Sequence, residues 1–461
     1  MKKLKSILIC LMLCVFGFGL VACGDPRTEE EKSFTYPKSS DYVTSNGGLA
    51  VQKGKYVYFV NGYKSVEEAK SKKTNYTVGS LMLMKLGENG KVVTDENGLT
   101  HDDYFIKMSN KLCGYEATNL FIHKDYLYFV TPSLENESGD KVWAKERVVF
   151  KRIKLDKSSE VETVYSSDVQ FDQLQYEYYE DGGKLFILVW EKGETYYGKK
   201  KQDALVRVNA TNKSSSKISN DVKSVVFAEN ADEIFFVKYD EDDSKYVLNQ
   251  YNIVENDVQE YAVFDKSHEV KAVSGGNVFI SASHEFGSTT DVKVSNIENH
   301  TEFSLLYAYS GSVDLKYTND GTVLYVTNNV ISFVKSMNDV KTITDENATS
   351  IDVIGFVNGC VVYLDDKSNV KTVSYSNFLE DGIVQIDTVA TLEGIEKEKA
   401  YFDLSNDCGD MYFYNKVGEN YYLHRLNVTN NHGEEAEMFG VYLEADEPEV
   451  ETEETEEDVE E

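Results

Sequence analysis

The chain is poor in proline, cysteine and positive charge, and each scarcity excludes something. Four prolines in 461 residues leave long stretches free to pair as strands, because proline removes a ladder donor and is confined to sheet edges. Six cysteines, at 10, 14, 23, 113, 360 and 408, are too few and too scattered for a disulfide framework. The 47 basic residues face 79 acidic ones, a formal charge of −32, which argues against nucleic acid as a partner because phosphate binding needs clustered Lys and Arg. Seven histidines, at 101, 123, 268, 284, 300, 424 and 432, never fall at His-x-x-x-His spacing, and no Cys-x-x-Cys occurs. No local metal-ligand motif is therefore present, and no cofactor is called for. A Gly-x-Ser-x-Gly elbow and a phosphate-binding glycine loop are also missing, so no catalytic residue can be named.

The chain also lacks an apolar run of the roughly 20 residues that a membrane span requires. It has instead Lys2, Lys3 and Lys5, an apolar stretch from Ile7 to Leu20, and small residues at the exit, the layout of an export signal. The exit reads Leu20-Val21-Ala22-Cys23-Gly24 and resembles the lipobox of bacterial lipoproteins. That resemblance implies cleavage behind Ala22 and a thioether-linked diacylglycerol on Cys23, with palmitate-class acyl chains holding the chain to the outer face of a cell membrane. Cys10 and Cys14 would leave with residues 1–22, and only Cys113, Cys360 and Cys408 would remain as thiols. Cys360 and Cys408 stand near the starts of comparable strands, which permits a bridge without requiring one. Arginine is limited to Arg27, Arg147, Arg152, Arg207 and Arg425 while Lys, Asn and Tyr abound, a bias that points to an AT-rich genome and a Gram-positive surface.

Residues 23–43 are polar, with Glu29, Glu30 and Glu31 in a row and no periodicity, and read as a flexible tether. At the other end, 444–461 holds twelve carboxylates and no basic residue; like-charge runs of this kind stay solvated and disordered. Between them, over 44–443, one pattern recurs: a short apolar strand, a turn rich in Asn, Asp or Gly, then a β-branched and aromatic strand. Eight copies run Gly54–Val60, Lys124–Val130, Gly183–Val189, Asp232–Val237, Gly276–Ser281, Asp320–Val326, Gly359–Leu364 and Gly409–Tyr414. A third strand follows most of them, as at Val148–Ile153 and Tyr246–Tyr251, and a weaker fourth comes before the next copy, as at Val161–Tyr165 and Val340–Thr344. Helical periodicity is confined to Ser65–Lys73. Four strands per repeat give an all-β reading: a single β-propeller, eight blades favoured and seven possible if the first and last copies share a blade, with four antiparallel strands each. Closure into a ring buries the blade faces and edges that an open row would expose. The repeats resemble bacterial lipoprotein propellers with degenerate Asp-Gly-x-Tyr-Tyr motifs, distantly like YWTD propellers, best matched at Asp320-Gly321 and Leu324-Tyr325. Such families share no catalytic set.

Other candidates have plainer readings. Asp-Gly at 181–182, 320–321 and 381–382 are turn formers. Asp240-Glu241-Asp242-Asp243 could wrap calcium with oxygen ligands but reads first as a solvated hairpin tip. Tyr176, Tyr178, Tyr179, Trp190, Tyr196, Tyr197 and Tyr421 could form a sugar platform, though aromatic residues more often fill space between blades. The expected function is a membrane-anchored, monomeric, non-catalytic binding or scaffolding module that takes a protein or glycan at the propeller rim or axis. Two alternatives stand beside it. A surface enzyme acting on glycans or peptides would show an axial pocket with close carboxylates or a metal, and a solute-binding lipoprotein of an importer would show alternating βα units in two lobes.

Overall fold

A computed structural model describes residues 25–440 except 63–78, 95, 97–99, 110–118, 133–147, 168, 170–173, 194, 197–198, 201–202, 229, 284–288, 311–313, 319, 337, 405–408, 419 and 430–434. Eight antiparallel sheets follow one another along the chain, each made from one contiguous stretch. They are blade 1 (43–109), blade 2 (121–167), blade 3 (174–220), blade 4 (222–264), blade 5 (269–310), blade 6 (315–344), blade 7 (351–391) and blade 8 (403–438). Each blade has four strands, A to D, in meander order, and blade 1 carries a fifth, Val43–Ser45, paired on the free edge of its A strand Ala50–Lys53. A separate two-stranded hairpin, Thr195–Tyr196 with Lys199–Lys200, lies in the B–C connection of blade 3. Three short α-helices are described, Glu29–Ser33, Tyr375–Asp381 and Lys397–Ala400. The helical pattern at Ser65–Lys73 lies outside the described residues, as do Cys113 and Cys408.

The eight sequence copies are the A–B turns and B strands of the eight blades, for example Tyr56–Val60, Lys184–Glu191 and Asp410–Val417. The middle of each B strand is apolar because it faces a neighbouring blade on both sides, and Tyr56–Val60 is buried at every position. D strands lie at the outside, and some are mostly exposed, as at Ser214–Asn220 and Asp257–Phe264, whereas Phe105–Ser109 of blade 1 is mostly buried. The A strands lie toward the axis, where Val222–Val226 of blade 4 packs on Glu269–Ser274 of blade 5 and Val270 N donates to Ser224 Oγ at 2.9 Å. Strand C changes register against strand D in blades 1 to 7. These irregularities increase the local twist that a blade needs. Several A–B turns have two positive-φ residues in succession, such as Gly182-Gly183, Gly275-Gly276 and Asn358-Gly359, the backbone that matches the twist of a tight hairpin. Asp381-Gly382 differs: Gly382, at φ 70°, caps the C-terminus of helix Tyr375–Asp381.

Eight apolar clusters occupy the eight seams, one between each pair of neighbours. Alternate residues of a strand feed opposite seams: Tyr58 and Val60 face blade 2 with Leu127 and Phe129, whereas Val57 and Phe59 face blade 8 with Tyr412, Tyr414 and Phe439. That last seam closes the ring without strand exchange, so the first and last copies do not share a blade. Polar contacts reinforce it. Leu49 N donates to Asp403 Oδ2 at 2.7 Å, Val92 N to Glu437 Oε1 at 2.7 Å, and Arg425 Nη2 to the Gly90 carbonyl at 2.8 Å. Arg425 also stands over the Phe439 ring at 5.1 Å.

Candidate functional site

Meander order puts every A–B and C–D turn on one face of the ring, called here the turn face, and every B–C and D–A connection on the other. Ala22 and Cys23 lie outside the described residues, but the chain directly after them is placed. Thr28 caps helix Glu29–Ser33 with a capping box closed by Glu31, and Phe34 and Tyr36 pack into the seam between blades 1 and 2, with ring centroids 5.3 Å apart. Arg27 binds Asp25 at 2.5 Å and donates to the Asp156 carbonyl at 3.2 Å, in the C–D turn of blade 2. Lys157 in the same turn pairs with Glu31 and donates to the Lys107 carbonyl. Burial pushes the Tyr36 hydroxyl up to about 12. The chain then crosses the turn face of blade 1, where Gly54 N donates to the Tyr42 carbonyl at 2.8 Å, and pairs as Val43–Ser45 on the A strand. The tether expected from sequence over 23–43 is thus, from residue 25 on, laid along the ring. Two aromatic residues and a few charges suffice to hold it, too few to give a period.

Asp240-Glu241-Asp242-Asp243 is the tip of the B–C hairpin of blade 4, where Asp240 Oδ1 accepts from Asp242 N at 3.1 Å. Among the described residues no group of three or more His, Cys, Asp or Glu side chains could hold a metal ion. Of the aromatic candidates, Tyr178 fills the seam between blades 2 and 3, and Tyr179 and Trp190 fill the seam between blades 3 and 4. Tyr176 packs partly buried against the first of these. Tyr421 lies at the closing seam and accepts from Lys399 Nζ at 2.8 Å. The Tyr196 and Tyr197 side chains lie outside the described residues. Cys360 is a half-buried free thiol whose pKa burial raises.

Sequence reading missed a cleft of about 500 Å³ on the turn face, between blades 3 and 4. Its walls come from the A–B turn of blade 3 (Glu180, Asp181), the A–B loop of blade 4 (Asn230, Ala231, Asp232) and the C–D turn of blade 4 (Asn252, Val254, Glu255), with Tyr178 and Tyr179 below. Tyr179 is 4% exposed and packs with Ala231 and Val254; its hydroxyl has no partner among the described residues. Burial raises the Tyr179 pKa, and the charge of Glu177 adds to the shift. One wall is clamped from blade 3, where Arg207 donates to the carbonyls of Ile253 at 2.6 Å and Val254 at 3.2 Å. Asn252 Oδ1 fixes the same turn by accepting from Val254 N and Glu255 N, each at 2.9 Å. The result is an open basin with one wall tied by hydrogen bonds and four carboxylates, Glu180, Asp181, Asp232 and Glu255, among its lining residues, chemistry suited to a cationic or hydroxyl-rich group.

No family model and no curated protein matches the chain. Solved structures with similar folds include an oligogalacturonate lyase in complex with manganese, at 12% identity and TM-score 0.35, covering 75% of this chain and 82% of that one. The β-propeller domain of the trilobed protease from Pyrococcus furiosus, described as having an open velcro topology, is 11% identical with TM-score 0.42 over 68% of this chain and 92% of that one. A prolyl endopeptidase is 13% identical with TM-score 0.45 over 70% of this chain, which spans about half, 49%, of the peptidase.

Proposed function

We propose that the chain is an extracytoplasmic lipoprotein, anchored to the cell membrane through Cys23, whose propeller is a non-catalytic binding module. The observation that carries this reading is the run Leu20-Val21-Ala22-Cys23 behind a basic and apolar leader. The ring supports it as a rigid scaffold that presents a basin on one face, the arrangement in which binding residues collect on loops held by a stable frame. The basin between blades 3 and 4 is the part we assign to the ligand, an amine-bearing segment of a protein or glycan drawn by Glu180, Asp181, Asp232 and Glu255. Cys23→Ser tests the anchor: it should abolish incorporation of labelled palmitate and leave the protein unprocessed or released. Unchanged incorporation would remove the lipoprotein reading. For the basin, calorimetry with a lysine-rich peptide and a glucosamine oligomer should show salt-sensitive binding that falls at least tenfold in Asp181→Asn/Asp232→Asn/Glu255→Gln. Equal affinity in wild type and variant, or turnover of either probe by the purified domain, counts against it.

A further inference from the structure

We infer that the ring is held close against the bilayer with the turn face of blades 1 and 2 toward the lipid, rather than hung on a free tether. This inference rests on the reading of Cys23 as the lipid-bearing residue. Reach decides it. Only Gly24 lies between Cys23 and Asp25, and the two residue steps span at most about 7 Å even fully extended, whereas a loose linker of the length of 23–43 would have a root-mean-square reach of about 25 Å. Asp25 is not loose. Arg27 Nε and Nη2 grip its carboxylate at 2.9 and 2.5 Å, and the same guanidinium reaches the Asp156 carbonyl and stands 5.7 Å from the centroid of the Tyr36 ring. Glu31 is tied to Lys157, and Phe34 and Tyr36 are packed in the seam between blades 1 and 2. Acyl chains at Cys23 must enter the membrane, so the Asp156–Lys157 turn comes to the headgroup level with them.

The face follows from the topology. Asp156 and Lys157 form a C–D turn, and residues 37–42 cross the turn face of blade 1 beside Gly54. Strands Tyr56–Val60, Tyr126–Pro132 and Lys184–Glu191 end at the opposite face, away from the lipid. The basin between blades 3 and 4 opens on the membrane side, so a ligand reaches it along the bilayer surface.

The test uses the acylated full chain in vesicles containing spin-labelled lipid, in a background with Cys113, Cys360 and Cys408 changed to Ala. A single fluorophore is placed by Asn89→Cys or Thr211→Cys on the turn face, or by Asp242→Cys or Lys367→Cys on the other. Quenching should be several-fold stronger at 89 than at 242 and 367. Arg27→Ala/Tyr36→Ala/Lys157→Ala should leave acylation intact and bring quenching at 89 down to the level at 242. Equal quenching of the two faces in the parent, or no change on releasing the segment, would overturn the orientation. Melting curves of the variants made with Cys23→Ser check that the ring is folded. Absent palmitate incorporation is read separately; it removes the lipoprotein reading, and the orientation with it.

Discussion

At the scale of single residues, the most consequential arrangement is a buried charge cluster between blades 6 and 7. Lys371 is 4% exposed and its Nζ lies 2.7 Å from Asp345 Oδ2 and 2.9 Å from Asp365 Oδ2, carboxylates 2% and 0% exposed. Each carboxylate oxygen finds a donor: besides Lys371, Tyr363 hydroxyl and Asn347 N serve Asp345, while Lys367 N and both nitrogens of Asn369 serve Asp365. Burial opposes ionisation of all three groups. The hydrogen bonds and charges of their partners outweigh it, lowering both Asp pKa values and raising that of Lys371. Removing the one cation leaves two buried carboxylates facing each other, so Lys371→Met should cost about 3–5 kcal/mol in urea unfolding at neutral pH. The sign with pH follows. The lowered carboxylates contribute stability that is complete above the ordinary value of 3.8 and is lost as pH falls through their lower folded values; the raised lysine contributes stability that is complete below 10.5 and lost as pH rises beyond it. Between those limits wild-type stability from this cluster should be flat, and the deficit of Lys371→Met should shrink in acid as the two aspartates take up protons.

At the scale of elements, legibility tracks burial. The eight B strands were readable because apolar faces on both sides make unbroken hydrophobic runs, and a Gly or Asn turn stands before most of them. The outer D strands were faint because exposure lets Ser, Lys, Glu and Thr occupy them, as in Ser214–Asn220. Helix Tyr375–Asp381 escaped notice because only Tyr375 and Phe378 are buried, although the Ser374 cap and Gly382 mark its ends. The basin was illegible for another reason: its walls come from 178–181, 230–232 and 252–255, and only the ring brings these stretches together. Segment 46–49, just ahead of the first A strand, shows how local chemistry serves long-range closure. Asn46 exchanges hydrogen bonds with Ile122 of blade 2 at 2.9 and 2.6 Å, while Leu49 N reaches Asp403 of blade 8. Gly48 sits between them at φ 101°, where an added Cβ would run into the Asp403 carboxylate. Gly48→Ala should therefore cost about 1–3 kcal/mol from backbone strain alone and more from the clash. Gly90→Ala, at φ 74° with open space around it, should show the strain without the clash. A double-mutant cycle with Asp403→Ala, read by thermal melts, should recover the clash and not the strain; full additivity would mean that the two residues do not meet.

At the scale of the whole molecule, the question is whether stability resides in separate blades or in the closed ring. Each seam cluster draws side chains from two blades, so no blade owns its core: Met82, Met84, Val57 and Phe59 are fully buried only because Tyr412, Leu423 and Phe439 cover them. Removing the chain from Tyr401 onward strips that cover and also bares Val362, Leu364 and Val370, which blade 8 meets on its other side. At about 1.5–3 kcal/mol per large side chain returned to water, these losses match or exceed the 5–15 kcal/mol by which ordinary folds are stable, so the shortened chain should aggregate or be cut rapidly by protease. Deleting Glu444–Glu461 is a different operation. It removes twelve carboxylates and no basic charge, easing self-repulsion, which is screened within about 10 Å at 0.1 M salt. The melting temperature should hold, or rise by a degree or two at low salt. Thermal melts, light scattering and limited proteolysis of the two truncations decide whether stability resides in the closed ring or in separate blades. A chain ending before Tyr401 that stays monomeric and melts at the wild-type temperature would mean that the seam between blades 8 and 1 contributes nothing to stability.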